Sequence, residues 1–242
     1  MCSSDLFLLS LAVVLLAALP FAVNAQQLTV EYETRVNANS PDAMKDAGLP
    51  DEMRKALVSA VAHVKAGYVL CIDGGQVEGR AQAAKEKQMV NFMGQTFDAN
   101  EFVKNQLENI IYFNKDTKRQ VSKVVVMGKH YLLVDPLKAD TFDVQPNEKK
   151  DILGYECVKA VSKDGKQVIW FTKHIPVDAG PVYANVGGLI LEAELKDQIF
   201  VAKNISMSVD HAIKEPTGGE EMTEKAFKEK MKKYVEMMRR GQ

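Results

Sequence analysis

The chain has 242 residues, with 31 Lys and Arg against 32 Asp and Glu and a formal net charge of −1. Hydrophobic residues make up 46% and charged residues 26%, with 15 Gly, 8 Pro and 3 Cys. These proportions exclude collagen-like, disordered and disulfide-dense classes, and the near-neutral charge argues against a basic nucleic-acid binder.

The N-terminal segment stands apart from the fold. Leu6 to Val23 is an apolar run interrupted only by Ser10 and Pro20, and it closes on Val23-Asn24-Ala25, a small-residue cleavage signal. A secretory signal peptide over residues 1–25 is expected; an uncleaved anchor is the alternative, since about 18 apolar residues can span a bilayer. Met1-Cys2-Ser3-Ser4-Asp5 carries a negative charge where such a segment normally starts positive, and we read it as an artefactual start. Cleavage after Ala25 leaves residues 26–242, with two cysteines, no net charge and no transmembrane span. The expected location is periplasmic or secreted, in a bacterial envelope.

Gln27 to Val36 alternates, with Leu28, Val30, Tyr32 and Val36 on one face and Thr29, Glu31, Glu33 and Arg35 on the other. That is a half-buried strand of an antiparallel sheet. A polar loop follows to Gly48, and Pro50-Asp51 opens a helix over about 51–65 whose apolar side carries Met53, Leu57, Ala60, Val61 and Val64. Tyr68, Leu70 and Ile72 alternate up to the Asp73-Gly74-Gly75 turn. Ala81 to Ala99 reads as a long polar loop. Strands are then expected over Asn109–Phe113, Val121–Met127, His130–Val134, Phe142–Val144, Tyr155–Ser162, Lys166–Lys173, Gly187–Leu195 and Ile199–Val209. Asp164-Gly165 between two of them is the strongest hairpin signal in the chain.

The predicted class is α+β: a strongly curved antiparallel meander over residues 26–215 carrying two or so helices. Residues 216–242 add a basic amphipathic helix, about Thr223 to Arg239, expected to dock on the same domain. Phe227, Met231, Tyr234, Val235 and Met238 form its apolar stripe. Its seven basic residues against three acidic ones give a net +4. Such a helix either lies on an anionic membrane surface or packs its stripe on the sheet with its lysines in water.

No catalytic motif is present: there is no G-x-S-x-G elbow and no phosphate-binding glycine loop. His63, His130, His174 and His211 are scattered without metal-ligand spacing, so no metal and no cofactor is assigned. Cys71 and Cys157 are either a disulfide or two separate buried thiols.

Ile152-Leu153-Gly154-Tyr155-Glu156-Cys157-Val158-Lys159-Ala160 leads into the Asp164-Gly165 hairpin, followed by Trp170-Phe171-Thr172, Ile175-Pro176, Gly180-Pro181 and Gly187-Gly188-Leu189-Ile190-Leu191-Glu192. This order resembles the GLPGLI family of bacterial secreted envelope proteins. The resemblance covers roughly residues 131–195. It departs at Asn185-Val186-Gly187, where the family has Gly-Leu-Pro. It supplies no activity to carry over.

Physically, Pro176 and Pro181 bracket an irregular connection, and Gly187-Gly188 permits a bulge or close backbone approach as the next strand begins. The expected architecture is similar to the half-barrels of periplasmic lipoprotein carriers, which implies an apolar trough. Candidate lining residues are Val30, Tyr32, Leu70, Tyr112, Leu132, Trp170, Phe171 and Ile190. Glu192 is either a solvent-facing residue or an ion pair or ligand contact at the trough mouth. The expected function is a non-enzymatic envelope protein that binds a lipid or acylated partner. The alternative is a structural or protein-interaction module that uses its sheet edges.

Overall fold

β1, Gln27–Val36, is the strand from which the sheet extends both ways. The computed structural model describes residues 27–45, 48–104 and 107–240, so the expected signal segment lies outside the described residues. On one side β1 pairs with β2 (Lys65–Asp73), followed by β3 (Gln76–Gln82), β6 (Ile110–Asn114), β7 (Arg119–Val126), β8 (Lys129–Pro136) and β14 (Glu220–Met222). On the other it pairs with β13 (Gln198–Ser206), followed by β12 (Leu189–Glu194), β11 (Val168–Thr172), β10 (Tyr155–Ser162) and β9 (Phe142–Ile152). Every pair is antiparallel except β14 with β8. The β1–β2 connection holds α1 (Asp51–Val61). The β3–β6 connection holds a separate hairpin, β4 (Met89–Phe92) with β5 (Gln95–Asp98), and the short α2 (Asn100–Lys104). The chain ends its described part in α3 (Glu224–Arg240).

The sheet curls without closing: its edge strands β14 and β9 do not pair with each other. β8 and β9 lie ten strand spacings apart, which on a flat sheet is about 48 Å. Only residues 137–141 join them, a reach of about 20 Å at full extension.

Curling creates an inner face, and the register identifies it. Leu28, Val30 and Tyr32 pair with Ile72, Leu70 and Tyr68, and all are buried. Ala202 and Phe200 of β13, Ile169 and Phe171 of β11 and Ala160 of β10 continue the same face. Residues 173–188, the connection from β11 to β12, lie across it. Ile175, Val177, Ala179 and Ala184 belong to one apolar cluster with Leu28, Val30, Leu70 and Phe171, and Tyr183 reaches Phe113 with ring centroids 5.5 Å apart.

The backbone of this segment is held by the sheet: the Ile190 N–H donates to the Ala179 carbonyl at 2.9 Å and the Leu189 N–H to the Ile175 carbonyl at 3.1 Å, while the buried Tyr32 hydroxyl donates to the carbonyl of Ile190 within β12 at 2.6 Å. The close backbone approach expected at Gly187-Gly188 has a steric cause, and Gly180 has a similar one. A Cβ on Gly188 would overlap the Thr172 carbonyl oxygen, and one on Gly180 would come within 2.6 Å of the Ile190 Cβ.

A smaller cluster sits on the outer face. Cys71, Tyr112, Val121, Leu132 and Ile213 are buried there. Ile213 belongs to the strap of residues 207–219, which crosses from the end of β13 to β14. α3 returns on the inner side of β8: the Glu224 N–H donates to the Asp135 carboxylate at 2.8 Å, and Phe227 meets Tyr131 edge-on at 5.2 Å.

Several elements differ from expectation. Ala81–Ala99 is not one loop but holds the end of β3 and the whole of β4–β5. β9 runs to Ile152 instead of Val144. α1 ends at Val61 and buries Arg54 and Val58, a side offset from the expected stripe, because the Arg54 guanidinium donates to the carbonyls of Pro41 and Ala43 at 3.1 and 2.8 Å.

Since residues 173–188 complete the core, Gly180→Ala forces a methyl against Ile190. The expected loss is about 1–3 kcal/mol, read from urea unfolding, with little change in the denaturant slope.

Candidate functional site

The candidate trough residues divide between two faces. Val30, Tyr32, Leu70, Phe171 and Ile190 share the inner face, all almost wholly buried and covered by residues 173–188. Tyr112 pairs with Glu78, which pairs with Cys71, and this row faces outward, so Tyr112 and Leu132 belong to the outer cluster. Trp170 and Glu192 are partners on the outer side of β11 and β12. Lys150 Nζ lies 2.7 Å from the Glu192 carboxylate and 4.3 Å from the Trp170 ring centre. The nine residues therefore do not line one trough. Alternation within a strand reports which residues share a side, but only the register across strands reports which side is inner.

The two cysteines do not pair. Both are free buried thiols, on β2 and β10, with four strands between them. Burial pushes the Cys157 thiol up to about 11 and moves Cys71 in the same direction, which leaves both as thiols and poor nucleophiles. Among the described residues no group of three or more His, Cys, Asp and Glu side chains is placed to hold a metal ion.

What remains open on the inner face is a cavity of about 320 Å³ at one rim of the sheet. This is the rim where β1 ends, β2 and β6 begin, and β3 ends. Its walls include Tyr68, Phe200, Pro181, Ile111, Met44 and Val64. Tyr68 and Phe200 form its aromatic floor, edge-on at 5.3 Å, with Tyr32 packed against both rings. Gly79 is what admits the Tyr68 ring, since a Cβ at that position would overlap the Tyr68 hydroxyl oxygen. Tyr68 is 9% exposed, and its hydroxyl has no hydrogen-bond partner among the described residues. Burial moves its pKa upward, so it stays a neutral donor. No sequence motif marked this cavity: Tyr68, Phe200, Ile111 and Pro181 come from four separate segments.

A second group lies outside, under the strap. Glu78 is 3% exposed yet carboxylate-bearing; the Arg80 Nε lies 2.6 Å and the His211 Nε2 3.0 Å from one of its oxygens. Burial would raise the Glu78 pKa, but the hydrogen bonds from Arg80 and His211 together outweigh it and hold the carboxyl below its usual value. His211 is raised, first by its hydrogen bond to Asp210 at 2.6 Å and then by that to Glu78. The group clasps the strap to β3.

No family model matches the chain, and no curated protein does. Among solved structures, two crystal forms of PNGF-II are similar to this chain at 14% and 13% identity, with TM-scores of 0.50 and 0.49. In each, 85% of this chain is covered, but the chain spans only about a third of the length of the solved chain (33% and 32%). At this identity the likeness extends to the fold alone.

The clasp has a pH signature. The Glu78 contribution is present above its unfolded value near pH 4.3 and is lost as pH falls through its depressed folded value. The His211 contribution is present below about pH 6.5 and is lost as pH rises through its raised folded value. His211→Gln is therefore expected to flatten the alkaline side of a stability-against-pH curve measured by thermal melting. The change is less than about 1 kcal/mol because the ring is partly solvated.

Proposed function

We propose that this chain is an exported, non-enzymatic envelope protein that holds one acyl chain, free or attached to a partner, in the rim cavity of its inner face. In this reading the curled sheet is a half-barrel of the periplasmic lipoprotein-carrier type, and the chain is a divergent relative of the GLPGLI proteins. The observation that carries it is the cavity itself: about 320 Å³, floored by Tyr68 and Phe200, and opening beside Ile111. That volume lies at the small end of ligand pockets, about 300–1,000 Å³, and suits a single slender apolar group. The unpartnered Tyr68 hydroxyl offers the carboxyl or ester end of such a group one hydrogen bond, in a wall that also carries Thr34, Arg35, Asn109 and Gln198.

A structural module that adds strands at its edges is the weaker reading. β9 is an edge strand with Pro146 and a row of charged residues, and β14 is only three residues long. Both are blunted in the ways that prevent strand addition.

A fluorescent fatty-acid probe tests the proposal. The wild-type chain should bind it at one site. Ile111→Glu, a change at a residue already 41% exposed, should weaken binding by at least about tenfold while the melting temperature holds. Tyr68→Phe should weaken it by about 2–10-fold. A wild-type chain that takes up no probe, or an Ile111→Glu variant that binds it equally, would reject this function.

A further inference from the structure

We infer that the cavity rim and the free half of α3 together form a docking surface for an anionic membrane. α3 packs on the sheet only through its first turns. It begins beside Asp135, passes Tyr131 at Phe227 and Lys230, and so runs antiparallel to β8 toward the rim where β8 starts. From Met231 onward about ten residues remain, roughly 15 Å of helix, and β8 extends only two residues beyond Tyr131. The apolar stripe expected to pack on the sheet is therefore only partly covered: Tyr234 is 40% exposed, and Met237, outside that stripe, adds a side chain that is 62% exposed.

Charge identifies the occupant. From Met231 onward the helix carries Lys232, Lys233, Arg239 and Arg240 against Glu236, a net +3, and Lys232 and Lys233 are exposed and make no ion pair among the described residues. Exposed apolar residues flanked by unpaired lysines fit the boundary between acyl chains and anionic headgroups. The same rim adds two apolar tips. Met93-Gly94 joins β4 to β5 and Met127-Gly128 joins β7 to β8, each with both residues at positive φ, a turn that favours Asn or Gly at its first position. Met93 and Met127 are instead the most exposed large apolar side chains among the described residues, at 72% and 67%. Large apolar side chains exposed at hairpin tips fit a surface that meets a nonaqueous phase. No helix among the described residues is long and apolar enough to cross a membrane, so the contact is peripheral.

The surface does not depend on the occupant of the cavity, and its test needs none. The full chain is floated with vesicles of phosphatidylcholine alone or with one third phosphatidylglycerol, at about 0.1 M and about 1 M salt. Binding is expected only to the anionic vesicles at low salt. Combined Lys232→Gln and Lys233→Gln should weaken it about 25-fold, at about fivefold per charge, with the melting temperature unchanged. Met93→Ser with Met127→Ser should weaken it about tenfold or more. Equal binding to neutral vesicles, no binding to either, or a concentration-dependent doubling of mass without lipid that the lysine changes abolish would overturn the inference. The last result would assign the surface to a second copy of the chain.

Discussion

The structure depends on how its inner apolar face is kept from water. A twelve-stranded sheet that curls gathers side chains from Leu28 to Phe171 onto one concave surface, and the only other sheet among the described residues is the small β4–β5 hairpin. The chain covers that surface with itself. Residues 173–188 lie across it with Ile175, Val177, Ala179 and Ala184 turned into the core, and glycines stand where backbone or Ile190 leaves no room for a Cβ. The Leu189 and Ile190 N–H groups of β12 tie the segment down through the Ile175 and Ala179 carbonyls. An irregular connection thus does the work of a packing layer, and its length determines how much of the inner face stays open.

That arrangement decides what can be bound. An open trough along the whole sheet would accept several acyl chains. Here the covering segment stops near Pro181, and beyond it Tyr68, Phe200 and Ile111 surround a space suited to one chain. In the proposed reading, the cavity, the Met127 tip and the direction of α3 share one rim, so a ligand enters on the side toward which the charged helix runs. The opposite surface is organised differently. There the 207–219 strap shields a small apolar cluster and is held by Glu78, Arg80 and His211.

The sequence made local features legible where alternation and turn chemistry agreed. β10 begins and ends at Tyr155 and Ser162 as expected, because Gly154 precedes it and Asp164-Gly165 follows. β3 was hidden: Val77, Glu78 and Gly79 are all buried, on both faces, so no period of two is visible. β9 was shortened by Pro146 and its charges, which mark it as an edge strand and not as a loop. The site was less legible than the fold. Tyr112 and Phe113 are neighbours in sequence yet face opposite sides, and only the pairing of β6 with β3 says which is inner. The covering segment looked like a connection because Pro176, Gly180 and Pro181 break it, and its burial is a tertiary fact. The Cys71–Cys157 question likewise turned on strand order, which sequence spacing does not encode.

The central claim is that the covered inner face leaves room for one slender apolar chain. Native mass spectrometry of the full chain, purified from an envelope fraction without detergent exchange, tests it most directly. The account predicts a monomer carrying at most one single-chain acyl ligand, released by collisional activation. A monomer carrying diacyl or triacyl lipid, or several chains at once, would contradict it, because residues 173–188 would then have to leave the core.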